Sequence, residues 1–399
     1  MRSTPRHYWI VALALSAACD GSSKTDGKDI RGAPTAGEEI VIGAAWPWSA
    51  HPDVLYRQGM ELAVAEVNAA RGVNGRSLRL KELDDHESVD DGRMVAQQLA
   101  REPGVVAVIG HLQSYVTVPA AAIYDQAGIV LISATSTTPE LTAHGYSRLF
   151  RTVFTDRDVG AQLAQYALAR GHRQIAIYYM RNEYGLGLAN EFERAATSGG
   201  ARIVDRQSYD PGTPSNQAST ERAVTAWKNL SIDAVFVAGQ VPQAALFIAE
   251  LRRKGITAPI YGSDALGTPA LLAIGGQAVE GTVLATAFHT GAPRAEVHRF
   301  SGAFRHAYGR EPDAGAALGY DAVNVLVEAI RRAGSTSPAK VSTALRALKD
   351  WQGVTGPFTF DEHGDLRDMP VQKMVVRNGR FEYLPTEVGL AAARTGGAP

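Results

Sequence analysis

The sequence contains a single cysteine, Cys19, in 399 residues. One thiol excludes a disulfide within the chain, and so excludes a small secreted domain held together by disulfides. Neither sign of charge is in excess, since 40 Lys and Arg face 41 Asp and Glu for a net charge of −1. Such a chain has no overall field for nucleic acid or an anionic membrane surface. Small molecules and other proteins are the expected partners, and nucleic acid is not.

Catalytic motifs are also missing. The sequence has no G-x-S-x-G, no G-x-x-x-x-G-K-[ST] and no H-E-x-x-H. Four histidines lack metal-ligand spacing and are expected on the surface or in loops: His51, His86, His111 and His144. A histidine three residues before a serine in IGHLQS has no sequence context for a nucleophile. We therefore expect a protein without metal, cofactor or catalytic residue, and not an enzyme.

No hydrophobic run is long enough to be a permanent transmembrane helix. The one near the start, Trp9–Leu15, is short and follows the basic residues Arg2 and Arg6. Small residues come next, at 16–18. This pattern predicts a secretory signal peptide over residues 1–18.

Cys19 directly follows these small residues, in LSAAC. It is either an ordinary thiol in a removed segment or the acylated first residue of a lipoprotein, and its position favours the lipoprotein. The polar stretch 19–38 is predicted to be a tether. Asp20 resembles a signal that retains lipoproteins on the inner membrane. The expected location is the periplasmic face of that membrane, with a lipid anchor and no span.

From Glu39 onward, short β-branched runs alternate with longer amphipathic segments. This alternation predicts an α/β fold with doubly wound parallel sheets. The strand candidates are 39–45, 77–85, 105–110, 129–133, 174–180, 201–209, 233–239 and 259–263. Apolar runs such as VVAVIG at 105–110 are typical of strands buried on both faces.

The pattern changes near residue 283. Three helical stretches follow, and then two strand-like segments, the second with the Asn-Gly of a tight hairpin. These five segments are 293–308, 316–333, 338–349, 357–366 and 371–384. The sequence therefore predicts two α/β units with a final antiparallel pair and a frayed tail at 388–399.

Two neighbouring strand ends are rich in hydroxyl groups. Ser114 follows 105–110, and LISATSTTPEL places Thr137 after 129–133. Each loop leads to a helix N-terminus, whose free N–H groups and positive partial charge suit a small anion such as a carboxylate. The alternative is that these residues only cap helices, as Thr138 before Pro139 is expected to do.

Two tryptophans follow the first strand, at Trp46 and Trp48. They either belong to the core or form a wall of a ligand pocket.

Several segments closely resemble the periplasmic branched-chain amino-acid-binding proteins, which are type I solute-binding proteins of ABC transporters. They are RGVNGRSLRLKELDD, VIGHLQS, AIYDQAGIVLISATSTTPELT, RLFRTVFTD, EYGLGLA and TGPFTFDEHGDL. The resemblance extends from about Glu39 to Tyr383. It implies two lobes joined by a three-crossover hinge: residues 39–155 with 288–357, and residues 156–287 with 358–387.

The resemblance also implies a ligand site between the lobes. The carboxylate of the ligand is expected at Ser114 and Thr137 with backbone groups of Thr135 and Thr137, and Ser136 is expected to face the cleft. Its amino group is expected at Asp264, where leucine-binding relatives carry Glu. The other positions carried over are Tyr184, which closes over the ligand, Asp156 just past the first crossover, and Gln240 where relatives carry an aromatic residue. The family's disulfide positions correspond to Glu87 and Gln113.

The function implied is non-catalytic capture of a small amino acid with a branched, apolar or aromatic side chain. A monomer is expected to deliver this ligand to the membrane permease of an ABC transporter. Two alternatives stay open: a sensory ligand-binding subunit, and a binding protein for another carboxylate or an amide. A secreted hydrolase is disfavoured by the missing motifs, and a DNA-binding regulator by the signal segment.

Overall fold

The computed structural model describes residues 39–210 and 216–385. The predicted signal peptide, Cys19, the tether and the C-terminal tail lie outside the described residues.

The first part of the chain folds into a five-stranded sheet. Its strands are β1 Ile40–Trp46, β2 Leu78–Asp84, β3 Val105–Gly110, β4 Val130–Ser133 and β5 Leu149–Arg151. All neighbours are parallel, in the order β2-β1-β3-β4-β5. The helices between them are α1 Tyr56–Ala69, α2 Val89–Arg101, α3 Ser114–Gln126 and α4 Glu140–Ala143. Every residue of β3 is buried, as its apolar sequence predicts, because core lies on both faces of the sheet.

The middle of the chain continues the alternation in a second sheet. Its elements are α5 Asp156–Ala169, β6 Gln174–Met180, α6 Glu183–Ser198, β7 Arg202–Tyr209, α7 Asn216–Trp227, β8 Ala234–Ala238, α8 Gln243–Arg253, β9 Ile260–Gly262, α9 Pro269–Gly275 and β10 Val283–Thr286. Two short 3₁₀ turns, Asp264–Leu266 and Gly276–Val279, flank α9.

The last part contributes to both units. It comprises α10 Ala295–Tyr308, α11 Ala314–Ala333, α12 Pro338–Arg346, β11 Trp351–Gln352, β12 Pro357–Phe358, β13 Gln372–Arg377 and β14 Arg380–Leu384. The helices α10 and α11 pack on α1, while β13 pairs antiparallel with β10 and β14 with β13. The second sheet therefore has the order β14-β13-β10-β9-β8-β6-β7. The final antiparallel pair was predicted, and its turn has φ of 50° at Asn378 and 68° at Gly379.

Within the described residues, the chain passes between the two units after β5, after β10 and after β12. The units also meet directly, since α3 of the first contacts α6 of the second. No helix in the described ranges is both long and apolar enough to cross a bilayer.

Helix α3 begins at Ser114, and Pro119 lies inside it. The amides of Val116 and Thr117 bond to the Gln113 carbonyl, and the Thr117 hydroxyl donates to the same carbonyl at 2.9 Å. These bonds form the first turn before the proline is reached, so the missing proline N–H costs a single later bond.

Candidate functional site

The loops after β3 and β4 are joined by hydroxyl groups. Thr135 Oγ1 donates to the carbonyls of His111 at 2.9 Å and Leu112 at 3.2 Å. The Ser136 and Thr117 hydroxyls bond to each other at 2.5 Å, and both residues are buried. The side chains of Thr135 and Ser136, which were expected to face a ligand, are thus already bonded within the protein.

Ser114 and Thr137 are the hydroxyl residues left for a ligand. Ser114 is the first residue of α3, where free helical N–H groups point outward, and both residues are buried. Thr137 accepts a hydrogen bond through its carbonyl from the Asp156 amide at 2.9 Å. Thr138 instead accepts from the Glu140 amide at 3.4 Å, a weak version of the expected cap at a one-turn helix.

A buried arginine fixes this loop, and the sequence reasoning missed it. Arg151 Nη1 donates to the carbonyls of Ser136 at 3.0 Å and Thr138 at 2.7 Å. Its Nη2 donates to Thr142 Oγ1 at 2.9 Å and its Nε to Asp365 Oδ1 at 2.7 Å. The available signal was one charged residue at the end of the short buried strand LFR, since a buried charge needs several partners.

The second unit places carboxylates opposite the hydroxyl loops. Asp264 begins the turn after β9, and its Oδ1 accepts a 2.7 Å hydrogen bond from the Tyr184 hydroxyl near the start of α6. Burial raises the pKa of Asp264, and the Tyr184 hydroxyl opposes the rise.

Asp156 is the most unusual residue of the site. It is 0% exposed at the start of α5, and neither carboxylate oxygen makes a well-formed hydrogen bond, although the Thr137 hydroxyl lies close enough to affect its pKa. Burial raises the pKa of this carboxyl to about 7; the Asp264 charge adds to the rise, while Thr137 and Arg151 oppose it. A cation of the right size would stabilise this site, because a buried carboxylate without a partner is costly.

Another acidic pair lies where the units meet. Burial raises the pKa of Glu183 to about 7, and the Glu140 carboxyl from the first unit reinforces the shift. Glu183 Oε1 has no hydrogen-bond partner. The second unit therefore brings three carboxyls with raised pKa values to this region: Asp156, Asp264 and Glu183. Even so, no cluster of three metal-ligand side chains occurs in residues 39–210 and 216–385.

Gln240 follows β8, and its backbone N–H donates to the Tyr209 hydroxyl at 3.1 Å. Its side-chain Nε2 lies 3.5 Å from Gln113 Oε1, so it reaches across to the first unit. Gln113 Nε2 in turn donates to Glu87 Oε1 at 2.6 Å. A hydrogen bond thus joins the two positions that correspond to the family's disulfide.

The two tryptophans take different places. Trp46 is buried and stacks on Tyr56, with ring centroids 3.9 Å apart. Trp46 therefore belongs to the core. Trp48 is half-buried in the loop after β1, and its indole Nε1 has no partner. Of the two residues, Trp48 is the one with surface left for a ligand.

His111 lies in the loop after β3, which is one of the two expected places for the histidines, but it is fully buried rather than at the surface. Its Nδ1 lies 2.6 Å from Asp85 Oδ2 and its Nε2 lies 3.1 Å from the Tyr124 hydroxyl. A ring with partners on both nitrogens is tolerated in a core, and these partners are distant in sequence.

Comparison with known proteins gives consistent results. A family model described as "Periplasmic binding protein" matches residues 40–380. The chain is 31% identical over 363 residues to a Leu/Ile/Val-binding protein homolog of Brucella suis, covering 89% of this chain and 91% of that one. It is 30% identical over 338 residues to the leucine-, isoleucine-, valine-, threonine- and alanine-binding protein of Pseudomonas aeruginosa, covering 84% and 88%.

A solved structure is also similar. It is an ABC transporter substrate-binding protein from Desulfitobacterium hafniense in complex with Leu, with a TM-score of 0.78 and 39% identity, and the match covers 87% of this chain and all of that one.

Proposed function

This chain belongs to the type I periplasmic binding proteins, in the branched-chain amino-acid group, and from that premise we propose that it captures a small α-amino acid between its two units. The predicted resemblance and fold class are confirmed by the family match and the two parallel-sheet units. Relatives of this group are solute-binding proteins, not enzymes. The names of these relatives include leucine, isoleucine and valine, and one name also includes threonine and alanine. We propose an amino acid with a branched, apolar or aromatic side chain as the ligand of this chain.

The carboxylate of the ligand binds at the first unit. Ser114 and Thr137 offer hydroxyl groups beside the N-terminus of α3. Helical N–H groups and hydroxyls stabilise an anion without a full positive charge nearby. This role rests on Thr137 and Ser114 and on the backbone of 135–137, since the Thr135 and Ser136 hydroxyls bond elsewhere.

The observation that carries the proposal is the unpartnered Asp156 carboxylate. It is fully buried near Asp264, whose own carboxylate is oriented by Tyr184. An ammonium group has three N–H donors, and the carboxylate oxygens of Asp156 and Asp264 have too few donors without it. A zwitterion with its two charges a short distance apart is therefore the ligand that these two halves of the site suit.

Capture proceeds by hinge closure of two lobes, residues 39–155 with 288–357 and residues 156–287 with 358–387. The open form binds through the hydroxyls of the first lobe. Closure brings Tyr184, Gln240 and Asp264 onto the ligand and excludes water, which strengthens each charged contact. The ligand stabilises closure to the extent that it binds the closed form more tightly.

The captured solute is delivered to an ABC permease by a monomer held at the membrane. Cys19, once the signal peptide is removed, carries the lipid, and residues 20–38 let the folded part reach the permease. Asp20 favours retention at the periplasmic face of the inner membrane. No cofactor takes part.

Isothermal titration calorimetry tests the ligand class. We expect binding by leucine, isoleucine or valine. We expect no measurable binding by 4-methylpentanoic acid, which lacks the ammonium group of leucine, or by isopentylamine, which lacks the carboxylate. If leucine and 4-methylpentanoic acid bound equally tightly, the acidic residues would not be the binding site of the ammonium group. Absence of binding by every α-amino acid would overturn the proposal.

A further inference from the structure

A chain of polar side chains crosses from one unit to the other beside the proposed ligand. His51 Nε2 lies 2.6 Å from Glu87 Oε1, which also accepts from Gln113 Nε2 at 2.6 Å. Gln113 Oε1 then faces Gln240 Nε2 at 3.5 Å. The first three residues belong to loops at one edge of the first sheet, and Gln240 follows β8 of the second.

The direction of the Gln113 amide is set by its neighbour. The His51 hydrogen bond holds the pKa of Glu87 low against the effect of burial, and Gln113 contributes to the lowering. An ionised Glu87 only accepts hydrogen bonds, so the NH₂ group of Gln113 must point to it. The carbonyl oxygen of Gln113 therefore points toward the second unit.

Both amides are adjacent to the ends of the zwitterion site. Gln113 directly precedes Ser114. On the other side, Ser263 Oγ donates to the Gly239 carbonyl at 3.0 Å, which joins the Gln240 loop to the Asp264 loop. The amide pair thus lies beside the carboxylate end in one unit and the ammonium end in the other.

We place the side chain of the ligand on the side of the Thr137 loop that faces away from β5. Toward β5, the space beside the Thr137 loop is filled by Arg151 and its partners. Away from β5, the next loops of the sheet are those after β3 and β1, which carry Gln113 and Trp48. A side chain that extends this way meets the amide pair.

We propose that Gln113 and Gln240 form a polar wall that selects a hydroxyl-bearing side chain, so that threonine binds more tightly than its apolar isostere valine. This inference rests on the proposed function and narrows it. A contact of 3.5 Å is too long for a strong amide hydrogen bond, so both groups keep unused capacity. A hydroxyl both donates and accepts, and fills that capacity. A methyl group in its place leaves a closed site with polar groups poorly paired.

Calorimetry with threonine and valine on the purified protein tests this wall. We expect threonine to bind at least about tenfold more tightly than valine, since a site built to bond a hydroxyl discriminates against its absence. Gln240→Leu should lower the affinity for threonine by about tenfold or more and change the affinity for valine by less than about threefold. Gln97→Leu, the same substitution on the exposed face of α2, should behave as wild type.

Three results would overturn this proposal. The first is that the wild type binds valine as tightly as threonine. A Gln240→Leu variant that loses both ligands equally is the second. Should that variant melt at a lower temperature than wild type, Gln113→Leu is measured instead, and an unchanged threonine-to-valine ratio there is the third. If no α-amino acid binds at all, the proposed function fails as well, whereas a preference for valine leaves that function intact.

Discussion

The Tyr184 hydroxyl donates a hydrogen bond to Asp264 Oδ1 at 2.7 Å, which orients a carboxylate that burial otherwise disfavours. Tyr184 lies in the first turn of α6, which follows β6, and Asp264 begins the turn after β9. A carboxylate held in this way is pre-organised for a cation, and pre-organisation lowers the entropic cost of ordering the site on binding.

Replacing Asp264 by asparagine removes the charge and keeps an acceptor for Tyr184. We expect amino-acid affinity to fall by about 30-fold or more, because removing one partner of a buried charge pair costs about 2 kcal/mol or more. The melting temperature of the ligand-free variant should not decrease, because a buried carboxylate is gone. Calorimetry and thermal unfolding measure the two effects.

Asp90→Asn makes the same change at an exposed position of α2 and should leave amino-acid affinity unchanged. Unchanged affinity in Asp264→Asn would show that this carboxylate does not meet the ammonium group.

Asp156 gives a pH prediction for the ligand-free protein. Burial raises the pKa of its carboxyl from 3.8 to about 7. The group therefore favours the folded state below about pH 4, and this contribution is lost as pH rises toward 7. Asp156→Asn does not undergo that loss. The free energy of unfolding of the variant, relative to that of the wild type, should therefore rise between pH 4 and 7 by up to about 4 kcal/mol, and this difference should stay constant above that range.

Urea unfolding at a series of pH values measures this difference. Subtracting the variant from the wild type cancels the titrating groups that do not interact with Asp156. A difference that stays constant with pH would mean that Asp156 is not a buried, unpaired acid.

The sequence predicts features that depend on local patterns. Buried parallel strands such as β3 have a continuous apolar sequence, and the Asn378-Gly379 turn is coded by two adjacent residues. The side-chain partners were not predictable in the same way. Arg151 bonds to Asp365, more than two hundred positions away, and His111 bonds to Asp85. Nothing near either residue in the sequence identifies these partners, so both were missed.

The same reasoning explains the hydroxyl loop LISATSTTPEL. Its composition indicated a polar site, and the flanking strand and a following helix were predicted, although that helix has a single turn. Which hydroxyls are free depends on the β3 loop, since Thr135 and Ser136 bond to residues 111, 112 and 117. Only the folded arrangement leaves Thr137 for a ligand.

Cys19 provides a prediction outside the described residues. Cells that produce the protein and are fed labelled palmitate should incorporate the label, and Cys19→Ser should abolish it. Because the chain has no other cysteine, the label reports on this position alone. Wild-type protein should sediment with membranes through its acyl chains. Label in the serine variant would contradict the lipoprotein assignment.

Arg151 provides the largest expected effect on stability. Its guanidinium is 0% exposed and donates to two carbonyls, to Thr142 and to Asp365. Arg151→Ala leaves all four acceptors without this donor, and breaking a buried ion pair costs about 3–5 kcal/mol. Arg151→Lys should fall between alanine and wild type, because a lysine keeps the charge but not the planar fork.

Arg194→Ala is the matched control. Arg194 pairs with Glu191 on the exposed side of α6, where we expect a loss below about 1 kcal/mol. Chemical denaturation gives these free energies of unfolding, and calorimetry on the folded alanine variant adds a second measurement. Since Arg151 holds the carbonyls of Ser136 and Thr138, its loss should also weaken ligand binding at Thr137. A variant that is destabilised but binds normally would show that the Thr137 loop keeps its shape without the arginine.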